Sequence, residues 1–202
     1  MKYKKAAALA AAVLMLSGCQ SSKTEVNTET VNEEQAADET VESEDSIDKT
    51  ITALFDQNVY CMTRIFGACH LPYEGEPVEG DNIYKVNSEF SGYSEFEEYI
   101  RGVYAKDEAD RLLYDCPYEG EPMYVDIEGM LCININLAGA KGYYVDWKDC
   151  DITVNSADGE KCSFTARGSI EEPAAVPEKK DYYADGSAVF ENGQWLLEKV
   201  IY

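Results

Sequence analysis

The sequence predicts an α+β fold in which N-terminal helices pack on an antiparallel sheet of five or six strands. Two observations lead there. Up to Tyr114 the apolar residues recur mostly at helical spacing, whereas from Met123 onward the period falls to about two. Two turn signals in the second half, Ala157-Asp158-Gly159 and Asn192-Gly193, join neighbouring strands tightly enough to make them antiparallel. At 202 residues, with about thirty unsuited to folding, there is room for one domain with its own core.

The chain begins with a cationic Met1-Lys2-Tyr3-Lys4-Lys5 and an apolar run from Ala6 to Leu16, too short for a stable membrane span. This is the pattern of a secretory signal, assigned to residues 1–18. Leu16-Ser17-Gly18-Cys19 is similar to a bacterial lipobox, in which the cysteine is lipidated and becomes the first residue after cleavage. Cys19 is therefore expected to carry the lipid and hold the protein on the extracytoplasmic face of the cell membrane. An ordinary signal peptide with a chance cysteine is the competing reading. Residues 19–45 have no apolar periodicity and are rich in Ser, Thr, Asn, Glu and Asp, which describes a solvated, self-repelling tether.

Residues 46–202 are expected to form the folded domain. Ser46 is the expected N-cap of a helix over 46–66, carrying Ile47, Ile51, Leu54, Phe55, Met62, Ile65 and Phe66 and stopped by Gly67. A Pro-, Gly- and acid-rich connection covers 71–82, followed by a short strand at Ile83-Tyr84-Lys85-Val86. Ser94 and Glu97 have capping-box spacing and open a helix with Phe96, Ile100, Val103 and Tyr104 on one face. Lys106 to Tyr114 reads as another short helix. Strands then follow over Leu131–Leu137, Tyr143–Trp147, 150–155 and 161–167, and Asn192-Gly193 should set Phe190 opposite Trp195 in a type I′ hairpin. For the Ala157-Asp158-Gly159 connection, a three-residue loop pairs Ile152 with Phe164 and Val154 with Cys162.

Pro-Tyr-Glu-Gly-Glu-Pro occurs twice, at 72–77 and 117–122, shortly after Cys69 and Cys116. It reads either as two similar turns leading into strands or as two acidic, tyrosine-bearing loops available to a partner. Six cysteines follow Cys19, an even number that in an exported domain suggests at least one disulfide. Six thiols allow 15 pairings. In the register above Cys150 and Cys162 lie about 13 Å apart along the ladder, too far to bridge. The two are candidates for an inward-facing pair of thiols or for bonding to a third strand through Cys132, and Cys69 with Cys116 is the next pairing considered.

Catalysis finds few parts. His70 is the chain's one histidine and adjoins Cys69, where sequence neighbours rarely form a nucleophile–base dyad. There is no C-x₂-C spacing for zinc, and Asp146, Asp149, Asp151, Asp158 and Glu160 do not match an EF-hand. No catalytic set, metal or cofactor is expected, and the chain is read as a non-enzyme. The formal charge is −22; loss of Lys2, Lys4 and Lys5 would leave 14 basic against 39 acidic residues, or −25. Such a surface repels nucleic acid, which is excluded as a partner.

Tyr93-Ser94-Glu95-Phe96-Glu97-Glu98-Tyr99-Ile100, Val103-Tyr104, Ala109-Asp110-Arg111-Leu112-Leu113, Tyr124-Val125-Asp126-Ile127-Glu128-Gly129-Met130-Leu131, Gly142-Tyr143-Tyr144 and the closing Asn192-Gly193-Gln194-Trp195 follow in an order that resembles the IseA family of DL-endopeptidase inhibitors. The resemblance covers roughly residues 46–202. It implies an α/β wedge with a cleft and an acidic surface, and an activity that blocks NlpC/P60-type cysteine endopeptidases of the cell wall. The cysteine content and the duplicated hexapeptide are not part of the family pattern. No individual inhibitory residue carries over.

The segment best suited to enter a narrow catalytic groove is Leu137-Ala138-Gly139-Ala140-Lys141-Gly142, because its residues are small and it joins two strands. Asp146, Asp149 and Asp151 would flank it. An ordinary flexible connection is the bland alternative. A different class of function is an NTF2-like lipoprotein in which fifteen tyrosines with Trp147 and Trp195 line a ligand pocket; the same aromatics serve equally to fill a core.

Overall fold

The apolar stripe from Ile47 onward forms α1 (Glu44–Tyr60), which continues as one π-helical turn, Cys61–Ile65. Ile51, Phe55 and Ile65 on that stripe are fully buried. The π turn closes with Phe66 N–H donating to the Cys61 carbonyl at 2.8 Å, and the helix ends at Gly67, where a Cβ would stand 1.8 Å from the Met62 carbonyl oxygen. The computed structural model describes residues 44–67, 69–139, 145–172 and 178–202. The signal segment, Cys19 and most of the tether lie outside the described residues. Everything described falls in one compact unit, Val41–Tyr202, whose buried apolar residues run from Ile47 to Ile201.

The stretch expected to be a connection at 71–82 contains β1 (Tyr73–Glu79), antiparallel to β2 (Ile83–Val86). Its Pro, Gly and acidic residues are depleted in most strands, but β1 is an edge strand with six of its seven positions exposed, so no apolar alternation marks it. The two hexapeptides do not share a shape. The first runs into β1 with Gly75 at φ 82°, whereas the second is a hairpin of β3 (Pro117–Tyr118) and β4 (Glu121–Pro122) turning at Gly120.

Helix α2 (Tyr93–Val103) starts one residue earlier than the expected cap. The Ser94/Glu97 box does not form; Gly92 is the N-cap, and Ser91 donates its N–H and its hydroxyl to Glu95 at 2.6 Å each. Glu97 instead pairs with Arg101. α3 (Lys106–Tyr114) buries Ala109, Leu112 and Leu113, as its pattern predicts.

The strands form two four-stranded antiparallel sheets and a small ribbon, not one sheet of five or six. The first sheet has the order β1-β2-β6-β5, with β5 (Tyr124–Ile127) and β6 (Met130–Asn134) joined at Glu128-Gly129. The second has the order β10-β9-β8-β7, formed by β7 (Asp146–Ala157), β8 (Lys161–Glu172), β9 (Glu178–Glu191) and β10 (Gln194–Leu197). The expected strand Leu131–Leu137 stops at Asn134, and this stop ends the first sheet. Asn134 Oδ1 accepts from Asn136 N–H at 3.1 Å and from Asn82 Nδ2 at 2.9 Å, which turns the chain out of the ladder. α2 touches β6 of one sheet and β10 of the other, while α1 packs on β7 and β10.

The Asn192-Gly193 hairpin forms as read, with both residues at positive φ and Phe190 opposite Trp195. The other register is corrected. Val154 faces Phe164, Ile152 faces Ala166 and Ala157 faces Cys162, because the last pair of the ladder, Ala157 with Cys162, lies closer to the 158–160 connection than expected and β7 bulges between Val154 and Ser156. Gly159 does adopt the left-handed conformation, at φ 88°.

Aromatic side chains fill the interior. Phe55 meets Trp147 edge-on at 5.1 Å and Phe164 at 6.3 Å, while Tyr124 packs on Phe96 at 5.0 Å and Phe66 at 5.7 Å. The Tyr124 hydroxyl donates to the Ile65 carbonyl and accepts from Leu71 N–H, both at 2.9 Å. Asn58 is the buried polar residue among those described. Its Nδ2 donates to the Ile201 carbonyl at 2.8 Å, and its Oδ1 accepts from Ile201 N–H at 3.1 Å and the Tyr104 hydroxyl at 3.0 Å.

Candidate functional site

The sheet-to-sheet crossover that leaves β6 carries the expected insertion segment. Leu137 N–H donates to the Asn134 carbonyl at 3.1 Å and Ala138 N–H to the Ile135 carbonyl at 3.3 Å, so the segment leaves through a tight turn. Leu137 and Ala138 are half-buried against the core, and Gly139 is exposed. Ala140, Lys141 and Gly142 lie outside the described residues. The chain re-enters at a buried Val145 and then Asp146, the first residue of β7.

Asp146 lines an open groove of about 470 Å³ whose other walls are Asp56, Val59, Thr63 and Arg64 from α1 and its extension, with Cys69, Trp147 and Lys148. Its carboxyl is held below the usual carboxylate range, first by the Lys148 N–H donating at 3.1 Å and then by the Lys179 ammonium at 3.5 Å. Asp149 and Asp151 do not line this groove. They lie further along β7, both exposed, and Asp151 forms an ion pair with Arg167. A shift in register between Asp146 and Asp151 explains why all three acids face outward although their spacing is uneven. It lets Trp147 point inward on one side of the break and Ile152 on the other, each facing the core. β7 is also an edge strand, and its outward charges protect that edge from unwanted pairing.

The structure thus places Asp146 where the crossover re-enters, at the start of β7, and leaves Asp149 and Asp151 further along that edge strand. Sequence reasoning missed Asp56 and Arg64, whose helix face reads as solvent in a linear pattern; no spacing signal ties them to Asp146.

The thiols contribute little chemistry. None of the six cysteines described is disulfide-bonded, so neither the expected bridge nor the Cys69–Cys116 pairing is present. Cys61, Cys116, Cys132 and Cys162 are buried one by one in the core, where each packs as a small apolar side chain. Burial pushes the Cys61 thiol up to about 12, and raises Cys132, Cys150 and Cys162 as well, which makes them poor nucleophiles. Cys69 is the exposed one. His70 places Nδ1 3.0 Å from the Leu71 carbonyl and its ring 5.7 Å from that of Tyr73. Among the described residues, no three His, Cys, Asp or Glu side chains converge to hold a metal ion, and no helix is long and apolar enough to cross a membrane.

No protein-family model matches the chain, and no curated protein matches it.

Proposed function

We propose that the chain is an extracytoplasmic lipoprotein, anchored through Cys19, that binds an NlpC/P60-type cell-wall endopeptidase and inhibits it by presenting the 137–142 crossover. The observation that carries the reading is the position of this crossover. It joins the two sheets, starts from a firmly hydrogen-bonded turn at 134–138, and re-enters at Asp146 on the rim of an open groove. A segment held at both ends by sheets loses less conformational entropy on entering a partner's cleft than a free peptide does. Asp146, Asp149 and Asp151 give the adjoining edge a negative field that steers a cationic rim towards it. A membrane anchor shared with the wall raises the local concentration of the pair.

The aromatic packing supports this reading over an aromatic-lined ligand pocket. Phe55, Phe96, Phe164, Tyr104 and Tyr124 are each at most 2% exposed and fill the core, and the grooves described are open to solvent. The test replaces 139–142, which follow the packed turn, with a bulky segment of equal length in residues 20–202. Inhibition of peptidoglycan cleavage should vanish while the thermal unfolding midpoint stays within about 2 °C, because the exchanged residues begin where the packed turn ends. Equal inhibition by the replaced and the native chain would remove the crossover from the mechanism. Cys19→Ala in the full chain should leave inhibition in solution intact and release the protein from the membrane.

A further inference from the structure

The first sheet is apolar on both faces. Directly opposed residues of antiparallel strands share a face. Tyr84, Ile133 and Tyr124 stand opposite one another and look into the core, where Phe96 of α2 packs on Tyr124 at 5.0 Å. Their neighbours along the strands therefore look out: Ile83, Val125, Ile127 and Met130, all half-buried, with a fully buried Cys132 among them. None of the four half-buried side chains packs against the core. β6 accordingly reads Met-Leu-Cys-Ile, the continuous run of a strand covered on both sides. The second sheet shows a solvent face in the same chain, where the outward rows are Asp151-Arg167-Tyr183 and Thr153-Thr165-Asp185. On the first sheet α2 packs from the core side, and the apolar outer face has no layer upon it among the described residues.

Charge decides what fits there. Glu74 stands opposite Lys85 and Glu79 opposite Ile83, so both carboxylates share the outer face. In 73–86 and 124–134 Lys85 is the only cation, against Glu74, Glu76, Glu79, Asp81, Asp126 and Glu128. None of these acids forms an ion pair among the described residues. A second copy would set carboxylates against carboxylates in a chain of formal charge −22, and an anionic lipid surface would be repelled in the same way. The face measures about 14 Å across its four strands and about 16 Å along β6, which is the length of a helix of about three turns.

We infer that the outer face of the first sheet docks a basic amphipathic helix of a partner protein. The apolar stripe of that helix lies on Ile83, Val125, Ile127 and Met130, and its Lys or Arg flanks meet Glu74 and Glu79. An extended peptide fits less well, because strands pair with the edge of a sheet rather than its face, and the β1 edge carries Pro77. The surface uses no residue of the 137–142 crossover and does not rest on the inhibitor reading.

The experiment uses ¹⁵N-labelled residues 20–202, which keep the whole compact unit, and follows the backbone amide signals of β2, β5 and β6. The probe is the peptide (Lys-Leu-Leu-Lys-Lys-Leu-Leu)₂ amide, whose leucines fall on one helical face. At micromolar peptide these signals should move, while those of Thr153 and Thr165 on the outer face of the second sheet stay in place. A peptide of the same composition with its leucines scattered should bind at least about tenfold more weakly, and so should Ile127→Thr/Met130→Thr, which keeps strand-compatible side chains and leaves the core untouched. Glu74→Gln/Glu79→Gln, at exposed positions, should lose at least about threefold and flatten the salt dependence. Equal movement of the second sheet's signals, equal affinity of the scattered peptide, or undiminished binding by either double variant would overturn the inference. So would translational diffusion that slows with chain concentration in the absence of peptide and is restored by Ile127→Thr/Met130→Thr, which would assign the face to a second copy.

Discussion

Replacing Asn58 by Ala removes the polar hub that ties the C-terminal tail to α1 and to the end of α2. Three groups lose a partner: the Ile201 N–H and carbonyl, and the Tyr104 hydroxyl, all on residues at most 6% exposed. Counting only the Ile201 N–H and carbonyl, two backbone groups are left buried and unpaired. At about 1–3 kcal/mol for each, Asn58→Ala should cost roughly 2–6 kcal/mol, a large part of the ~5–15 kcal/mol that holds a domain together. For a unit of this size that lowers the unfolding midpoint by roughly 2–4 °C per kcal/mol. Urea unfolding followed by tryptophan fluorescence measures it, with Thr52→Ala as control. Thr52 hydrogen-bonds the Asp48 carbonyl on the exposed face of α1, and its loss should cost under about 0.5 kcal/mol. A loss below about 1 kcal/mol for Asn58→Ala would refute the idea that this amide holds the tail.

Gly186→Ala should cost about 1–3 kcal/mol in the same assay, because its Cβ would stand 2.3 Å from the buried Phe164 ring and 2.6 Å from Ile201; Gly102→Ala, in open space, should be neutral or slightly stabilising. Burial disfavours the Glu108 carboxylate, yet its hydrogen bonds from Arg111 and the Val200 N–H outweigh this and hold its carboxyl below the ordinary 4.5. Its contribution is therefore present above pH ~4.5 and lost as pH falls through the lower folded value, so the stability gap between native chain and Glu108→Gln should close on acidification. Under native conditions iodoacetamide should label Cys69 first, with Cys61, Cys132 and Cys162 protected until unfolding; all six should then react without reductant, and a bridge found by mass spectrometry would contradict the free thiols.

Where an element's own side chains decide its structure, the sequence showed it. The stripes of α1 and α3 and the Asn192-Gly193 hairpin are local signals, and each is where it was expected. Illegible features depend on a partner element more than on the segment's own side chains. β1 is a strand because β2 lies beside it, not because Tyr73 to Glu79 favour extension. The division into two sheets turns on Asn134, whose side chain has to find both Asn136 and Asn82. The Val154–Phe164 pairing followed from a bulge, and a bulge leaves no mark in the alternation except an odd pair of exposed residues. Of the crossover site, Asp146 and the segment's ends could be read directly, whereas Asp56 and Arg64 join it only through the packing of α1 on β7. The even cysteine count misled because each buried thiol packs singly in the core.

The most direct measurement is the rate at which an NlpC/P60-type endopeptidase cuts a peptidoglycan stem peptide as residues 20–202 are added. The rate should fall to background as the chain is added in excess, with the chain itself uncut, and the inhibition should weaken as salt is raised from 0.05 to 0.5 M because the acids beside the crossover are exposed and screened. An unchanged rate across a panel of such enzymes, or cleavage of the chain between Leu137 and Val145, would contradict the inhibitor reading.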